Sequence, residues 1–241
     1  MERLDKILAN TGRWSRKEAR ELVRAGRVAV DGVTAQAADG KYDPAARFEV
    51  DGETVSGERL VYLMLHKPAG LVSATEDPRQ PTVLELLPQH LRRVGLFPAG
   101  RLDKDTEGLL LLTNDGPLAH ALLAPGRHVD KVYYARTAGC LTEEDCRAFA
   151  AGMTLGGGLE CLPAGLEILS AGPEGSEGLV TLREGKFHQV KRMFEAVGKK
   201  VIYLKRLSMG PLQLDETLMP GEYRELTEKE KDTLCSVEKK Q

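Results

Sequence analysis

No C-x-x-C pair, no H-E-x-x-H and no Cys/His cluster at zinc spacing occur in this 241-residue chain, so none of the familiar metal-site patterns is present. No G-x-x-x-x-G-K-[ST] loop and no G-x-G-x-x-G turn after a strand is found, which removes the usual signs of a nucleotide or dinucleotide site. Chemistry here is expected to run without cofactor or metal. The four cysteines, Cys140, Cys146, Cys161 and Cys235, are too few and too scattered for a disulfide framework, and a chain of this length does not need one. No apolar run approaches the length of a membrane span, and Met1-Glu2-Arg3-Leu4-Asp5-Lys6 has no signal-peptide character. A cytoplasmic protein without membrane contact is expected. A surplus of positive charge is missing as well, since the net charge is -2.

Charge is nonetheless unevenly distributed. Residues 1–30 hold eight Lys/Arg against four Asp/Glu, about +4, and residues 186–206 hold seven against one, about +6. Two basic segments in a near-neutral chain point to local patches rather than a charged tail. In the first segment the alternative is a solvated helix face. In the second the charges interleave with aromatic and apolar residues, which weakens that alternative.

Helical periodicity covers residues 3–10 and 15–25. Ser15 and Glu18 form a capping-box pair, and Gly26 suits the close of the second helix. Arg27-Val28-Ala29-Val30 with Asp31-Gly32, then Phe48-Glu49-Val50 with Asp51-Gly52, read as short strands ending in hairpin turns. This predicts a helix–helix–hairpin unit over 1–56. Arg13, Arg16, Lys17, Arg20, Arg24 and Arg27 recur at three- and four-residue steps, so they can share one face and track phosphates. Trp14 could stack on a base, but a helix-flanking tryptophan more often packs at a core edge.

Ser56-Gly57-Glu58-Arg59 reads as a polar linker, which sets a boundary at 57–60 and a second domain over 61–241. In that domain the patterns predict strands at 60–65, 131–138, 166–169, 178–183 and 201–207. Helices are predicted at 82–87, 117–123, 142–150 and 187–197. Without a repeated βαβ unit, this order indicates an α+β fold with a mostly antiparallel mixed sheet flanked by helices.

The densest chemistry lies in Gly100-Arg101-Leu102-Asp103-Lys104-Asp105-Thr106-Glu107-Gly108. This acidic loop runs into Leu109 to Leu112 and closes on Thr113-Asn114-Asp115-Gly116. Four leucines ended by turn residues read as a buried strand, and acids on the loop before it are where a catalytic carboxylate could be held rigidly. The bland reading is a solvated acidic turn. Asp103, Asp105, Glu107 and Asp115 are all chemically possible acids.

Two runs carry a family resemblance. Arg3-Leu4-Asp5-Lys6, Leu8-Ala9, Gly12, Ser15-Arg16, Glu18-Ala19 and Gly26 through Gly32 resemble the small RNA-binding module named after ribosomal protein S4. Gly100-Arg101-Leu102-Asp103, Thr106, Gly108-Leu109-Leu110 and Thr113-Asn114-Asp115-Gly116 resemble the signature of a pseudouridine synthase family that modifies ribosomal RNA. Lys67-Pro68 with Gly70, Asp77-Pro78, Pro81-Thr82-Val83, Lys131 with Tyr133, and Glu184 through Phe194 agree with it in order. So do Gly210-Pro211-Leu212 and Pro220 through Arg224.

The resemblance implies an isomerase that detaches uracil from its ribose, turns it, and rejoins it through carbon five. It singles out Asp103 as the catalytic carboxylate, Tyr133 as the residue stacking on the flipped uracil, and Lys191 as the basic partner of Asp103, with Arg192 as fallback. Arg101 would contact the flipped nucleotide, or instead form a structural ion pair. His188 is assigned a structural or RNA-contacting role, since nothing in the reaction calls for it. The implied partner is ribosomal RNA or a ribosome-assembly intermediate, with a monomer as default. Asp77-Pro78-x-x-Pro81-Thr82-Val83-Leu84 and the short C-terminal end resemble the small-subunit (16S) branch. The alternatives are a large-subunit (23S) rRNA synthase and a non-catalytic RNA-binding assembly factor.

Overall fold

Helix caps and tight turns build the first part of the chain, as seen in a computed structural model that describes residues 1–55 and 60–239. The expected linker Ser56–Arg59 lies outside the described residues apart from its edge at Leu60. Helix α1 spans Leu4–Asn10 and α2 spans Arg16–Arg24. The Ser15 hydroxyl accepts from the Glu18 amide while the Glu18 carboxylate accepts from the Ser15 amide, so α2 begins on a complete capping box. Strands β1 (Val28–Val30), β2 (Val33–Thr34), β3 (Phe48–Val50) and β4 (Glu53–Val55) form an antiparallel sheet in the order β2-β1-β3-β4. Asp31-Gly32 and Asp51-Gly52 make its two tight turns, with all four residues at positive φ.

Leu4, Leu8, Ala19 and Phe48 are fully buried between the helices and this sheet. Burial of each large apolar side chain contributes about 1.5–3 kcal/mol. Trp14 packs, partly buried, against that core, which is the structural reading of this residue. Two compact units emerge, and the first also takes in Leu87–Phe97. Val94 and Leu96 are apolar and buried there. A side chain at Gly12 would lie 2.8 Å from Val94 Cγ1, so glycine lets that segment approach.

The second unit holds Tyr62–Leu86 and the chain from Pro98 onward. The main path of its sheet is built from β5 (Tyr62–Lys67), β6 (Glu107–Thr113), β7 (Lys131–Ala138), β8 (Gly165–Ala171), β9 (Ser176–Leu182), β10 (Lys200–Met209) and β11 (Tyr223–Glu225). They lie in the order β8-β9-β7-β10-β6-β5-β11. Every neighbouring pair on that path is antiparallel except β10 and β6, which run parallel with Lys205 beside Glu107 and Arg206 beside Gly108. The fold is thus α+β, with a mostly antiparallel mixed sheet. Leu109 to Leu112 are fully buried at its centre.

Helices α3 (Gly116–Leu123), α4 (Glu143–Ala151), α5 (Gln189–Ala196) and α6 (Glu228–Lys239) accompany the sheet. Asp115 caps α3 by accepting from the Leu118 amide at 3.0 Å, and Thr142 with Asp145 forms a capping box on α4. The helix expected at 82–87 is only a 3-10 turn, Val83–Leu86, because prolines at 81 and 88 leave room for one turn. The strand expected at 60–65 starts at Tyr62 and runs to Lys67, stopped by Pro68. Helix α6 was not expected from the sequence, although Thr227 and Glu230 form a capping box before it.

Candidate active site

The loop from Gly100 to Thr106 is tied down by groups from β5 and the turn after it. Ser73 Oγ donates to the Leu102 carbonyl at 2.9 Å and accepts from the Leu102 amide at 3.1 Å. The Thr106 amide closes a turn onto the Asp103 carbonyl at 3.1 Å, and the Gly70 amide bonds the Lys104 carbonyl at 2.7 Å. Lys67 completes the cradle from beneath. Its ammonium donates to the carbonyls of Pro68, Lys104 and Thr106 at 3.0, 3.2 and 2.9 Å. This lysine is fully buried. Burial pushes its pKa down to about 8, opposed by the nearby charges of Asp105, Asp103 and Glu107. Neither Lys67 nor Ser73 was singled out from sequence. Lys67 entered there only as part of the Lys67-Pro68 and Gly70 run that carries the family resemblance, with no role of its own.

Above the cradle, Lys191 Nζ lies 2.9 Å from Asp103 Oδ2 and 2.5 Å from Asp105 Oδ1. Burial works against the Lys191 charge, but hydrogen bonds to both carboxylates outweigh it and hold its pKa above the ordinary lysine value. Burial likewise opposes the charge of Asp105, and the Lys191 ammonium overcomes it, lowering that pKa. The two acids differ in setting. Asp103 is 25% exposed, whereas Asp105 is 74% exposed. The other two rivals are engaged elsewhere. Glu107 accepts from the Tyr203 hydroxyl at 2.7 Å, with burial and that carboxylate raising the tyrosine pKa to about 12. Asp115 caps α3 and accepts from the Tyr62 hydroxyl at 2.7 Å.

Lys191 reaches the loop because α5 docks through buried Val190, Met193 and Phe194. Gln189 anchors the entry to that helix. Its amide nitrogen donates to Glu184 at 2.7 Å, and its amide oxygen accepts from the Lys186 backbone at 3.0 Å. His188 sits at the N-cap in a left-handed conformation, φ 51° and ψ 31°. Its Nε2 is 3.5 Å from Asp103 Oδ1, so the histidine set aside on sequence grounds faces the second oxygen of the central acid. Arg192 turns away, donating to the Gly156 carbonyl, which leaves Lys191 as the partner of Asp103.

Tyr133 is buried on β7, opposite Arg206 of β10, which pairs in turn with Gly108 of β6. Two strand spacings, roughly 10 Å, therefore separate the Tyr133 and Gly108 backbones. Among the described residues no hydrogen bond joins Tyr133 to Asp103 or Lys191. Tyr134 faces the other side, edge-on to Tyr203 at 6.1 Å between centroids. Arg206 was also missed from sequence. It is 2% exposed, with Nε bonded to the Leu109 carbonyl and a buried Nη2 that has no partner.

Arg101 is exposed and makes no ion pair among the described residues, so the structural ion pair weighed from sequence is not formed. In the first unit, Arg16, Lys17, Arg20 and Arg24 fall within about 100° of the α2 surface at 100° per residue. Arg20 is held by buried Asp5 at 2.9 Å and Arg27 by Asp51, while Arg13, Arg16, Lys17 and Arg24 are exposed and have no carboxylate partner among the described residues. Among the described residues no three His, Cys, Asp or Glu side chains gather as metal ligands would. No helix among them is long and apolar enough to cross a membrane.

Comparison with known proteins gives two family matches, "RNA pseudouridylate synthase" over residues 61–196 and "S4 domain" over residues 2–39. An uncharacterized RNA pseudouridine synthase of Bacillus subtilis (strain 168) is 50% identical over 95% of this chain and 96% of its own. The ribosomal small subunit pseudouridine synthase A of Pseudomonas aeruginosa is 44% identical over 98% and 100%. The ribosomal large subunit pseudouridine synthase B of Bacillus subtilis is 39% identical over 94% and 93%. A crystal structure of a pseudouridylate synthase superposes with a TM-score of 0.69 at 36% identity, covering 97% of this chain and all of that one.

Proposed function

This chain belongs to the RNA pseudouridine synthase family, isomerases that act on RNA, and from that premise we propose that it converts one uridine of 16S ribosomal RNA to pseudouridine with Asp103 as the catalytic carboxylate. One observation carries the choice of acid. Of the carboxylates in and after the loop, Asp103 combines a backbone fixed on both sides, by Ser73 through Leu102 and by the Thr106 amide, with a partly open side chain paired to Lys191. Asp105 shares the lysine but stands out in solvent, and Glu107 and Asp115 already serve Tyr203 and α3.

The reaction breaks the bond from uracil N1 to the ribose C1′ and makes one from C5 to C1′. The proton leaves C5 and N1 gains one, so no oxidant and no outside group enters. A carboxylate beside C1′ suits this chemistry because it can bond to or stabilise an electron-poor carbon. The target base must leave its stack to reach it. Tyr133 stacks on the extruded uracil, Lys191 holds the Asp103 charge in place, and exposed Arg101 takes a neighbouring phosphate. Arg13, Arg16, Lys17 and Arg24, with Arg20 and Arg27 as ion-paired neighbours, track the RNA backbone from the N-terminal module, and Arg192 lies at the edge of the basic segment. The partner is rRNA or a ribosome-assembly intermediate, and the enzyme acts as a cytoplasmic monomer.

The small-subunit target is supported by the Asp77-Pro78 to Leu84 pattern and by the 44% identical relative named for that subunit. The 39% identical large-subunit relative keeps 23S rRNA as the second reading. Pseudouridine mapping in 16S and 23S rRNA from cells with and without the gene separates them. One 16S position should lose its modification and regain it with the wild-type gene but not with Asp103→Ala. In purified form that variant should bind rRNA within a few-fold of wild type. Pseudouridine formed by Asp103→Ala would overturn the assignment of the acid, and a lost 23S position would move the target.

A further inference from the structure

Of five Phe, six Tyr and one Trp, only Phe187 is exposed among the described residues, at 74%. A single exposed apolar side chain is ordinary on a protein surface. Its position is not. The Phe187 ring lies parallel to the His188 ring, with centroids 3.8 Å apart and planes 17° apart. His188 in turn presents Nε2 to Asp103 Oδ1. One face of Phe187 is thus covered by a ring that touches the central acid, and the exposure belongs to the other face and the edges.

The backbone is bent to make this arrangement. His188 adopts the left-handed conformation at the start of α5, a conformation uncommon for a residue with a side chain. Lys186 on the near side is fastened to Gln189 through its amide, so the pair projects from a fixed base rather than a loose loop. Exposed cations flank the acid that His188 faces. Arg101 and Lys104, either side of Asp103, are exposed and carry no ion pair among the described residues.

Resting on the RNA-modifying reading above, we propose that Phe187, backed by His188, is a stacking platform for an unpaired RNA base adjacent to the extruded uridine. Extruding a nucleotide leaves its neighbours without a stacking partner, and a flat ring held against the acid replaces what the neighbour loses. The platform acts in binding and not in bond-making, so Phe187 is a substrate-positioning residue.

The test uses the full-length enzyme and transcribed 16S and 23S rRNA, with single-turnover pseudouridine formation followed over an enzyme concentration series. Phe187→Ala should raise the half-saturating concentration about thirtyfold, the middle of the range for one base–aromatic stack. Its plateau rate should stay within threefold, and Phe187→Trp should restore wild-type binding. A short RNA spanning the mapped site, with 2-aminopurine placed either 5′ or 3′ of the uridine, reports the contact directly. Binding to wild type or to Asp103→Ala should quench one of the two positions, and Phe187→Ala should abolish that quench. Unchanged half-saturation in Phe187→Ala, or equal fluorescence with and without the ring at both positions, overturns the platform. An effect seen only on assembled ribosomal particles and not on bare RNA also overturns it, since the ring then meets a protein. Failure of the functional reading looks different, because wild type itself would then modify neither rRNA, whether bare or in ribosomal particles.

Discussion

Replacing Gly108 with alanine should loosen the sheet at the seam beside Asp103. A Cβ at this position would lie 2.2 Å from the Arg206 carbonyl oxygen, 2.6 Å from its nitrogen and 2.9 Å from its carbonyl carbon. Ordinary contact needs more than 3 Å, so the strands must part by about 1 Å. All three obstructing atoms are backbone, which leaves no side chain to swing aside. Gly108 also sits at φ +105°, where an L-residue costs roughly 1–2 kcal/mol. The parallel seam consists of only two registered pairs, Lys205 with Glu107 and Arg206 with Gly108, backed by the Arg206 bond to the Leu109 carbonyl. Strain plus a disrupted seam amounts to about 3–5 kcal/mol. For a chain of this size that is a fall in Tm of roughly 6–20 °C. Thermal melting followed by circular dichroism measures it, with Gly126→Ala as control, since a side chain there meets nothing within 4 Å and needs no positive φ. The control should melt within 2 °C of wild type. If Gly108→Ala does the same, the steric reasoning is wrong.

Two further outcomes can be measured. Lys67 has a folded pKa of about 8 against an ordinary 10.5. The unfolded chain therefore binds the extra proton between those values, and this residue makes stability rise with pH across that window by about 3 kcal/mol. Denaturant unfolding at pH 8 and pH 10 should show the rise in wild type and its absence in Lys67→Met. The same variant should lose activity at pH 7, because the Lys104 and Thr106 carbonyls lose their donor. Equal pH dependence in both proteins refutes the assignment. The triple variant Arg16→Ala, Lys17→Ala and Arg24→Ala should bind rRNA more weakly at every site and flatten the plot of log affinity against log salt by about 2–3 units of slope. An unchanged slope would remove α2 from the RNA contact.

Local signals were readable in the sequence where the structure depends on local chemistry. Ser15 with Glu18, Thr142 with Asp145, and Asp115 before Pro117 each set a helix start from residues within one turn. The strand Lys131–Ala138 matches its predicted limits because the strand-favouring run Val132-Tyr133-Tyr134 and Thr137 marks it locally, although the burial of Lys131 and Thr137 is not visible in those residue types. Thr227 and Glu230 carried the same kind of cap signal, but the charged run after them hid the apolar face ending in buried Leu234. Long-range placements were not readable. The Lys67 side chain meets carbonyls 37 and 39 residues away, and Ser73 meets Leu102 across 29. No spacing rule encodes such meetings. His188 was passed over because its part depends on a left-handed turn that aims the ring, and neighbouring residues do not announce that turn.

The two bonds between Ser73 and Leu102 have a consequence for how a target is chosen. They take up both the amide and the carbonyl of the residue before Asp103, so moving the acid's main chain toward its substrate would first break both bonds. On the proposed reading, most of the motion that joins base and acid then belongs to the RNA. The work of opening the nucleic acid then becomes the toll at the entrance, charged before any chemistry begins. A uridine in a firm helix and one in a loose loop would meet the same anchored carboxylate, and the difference between them would be written in their own stacking. Target choice would then be as much a property of the ribosomal RNA as of the enzyme.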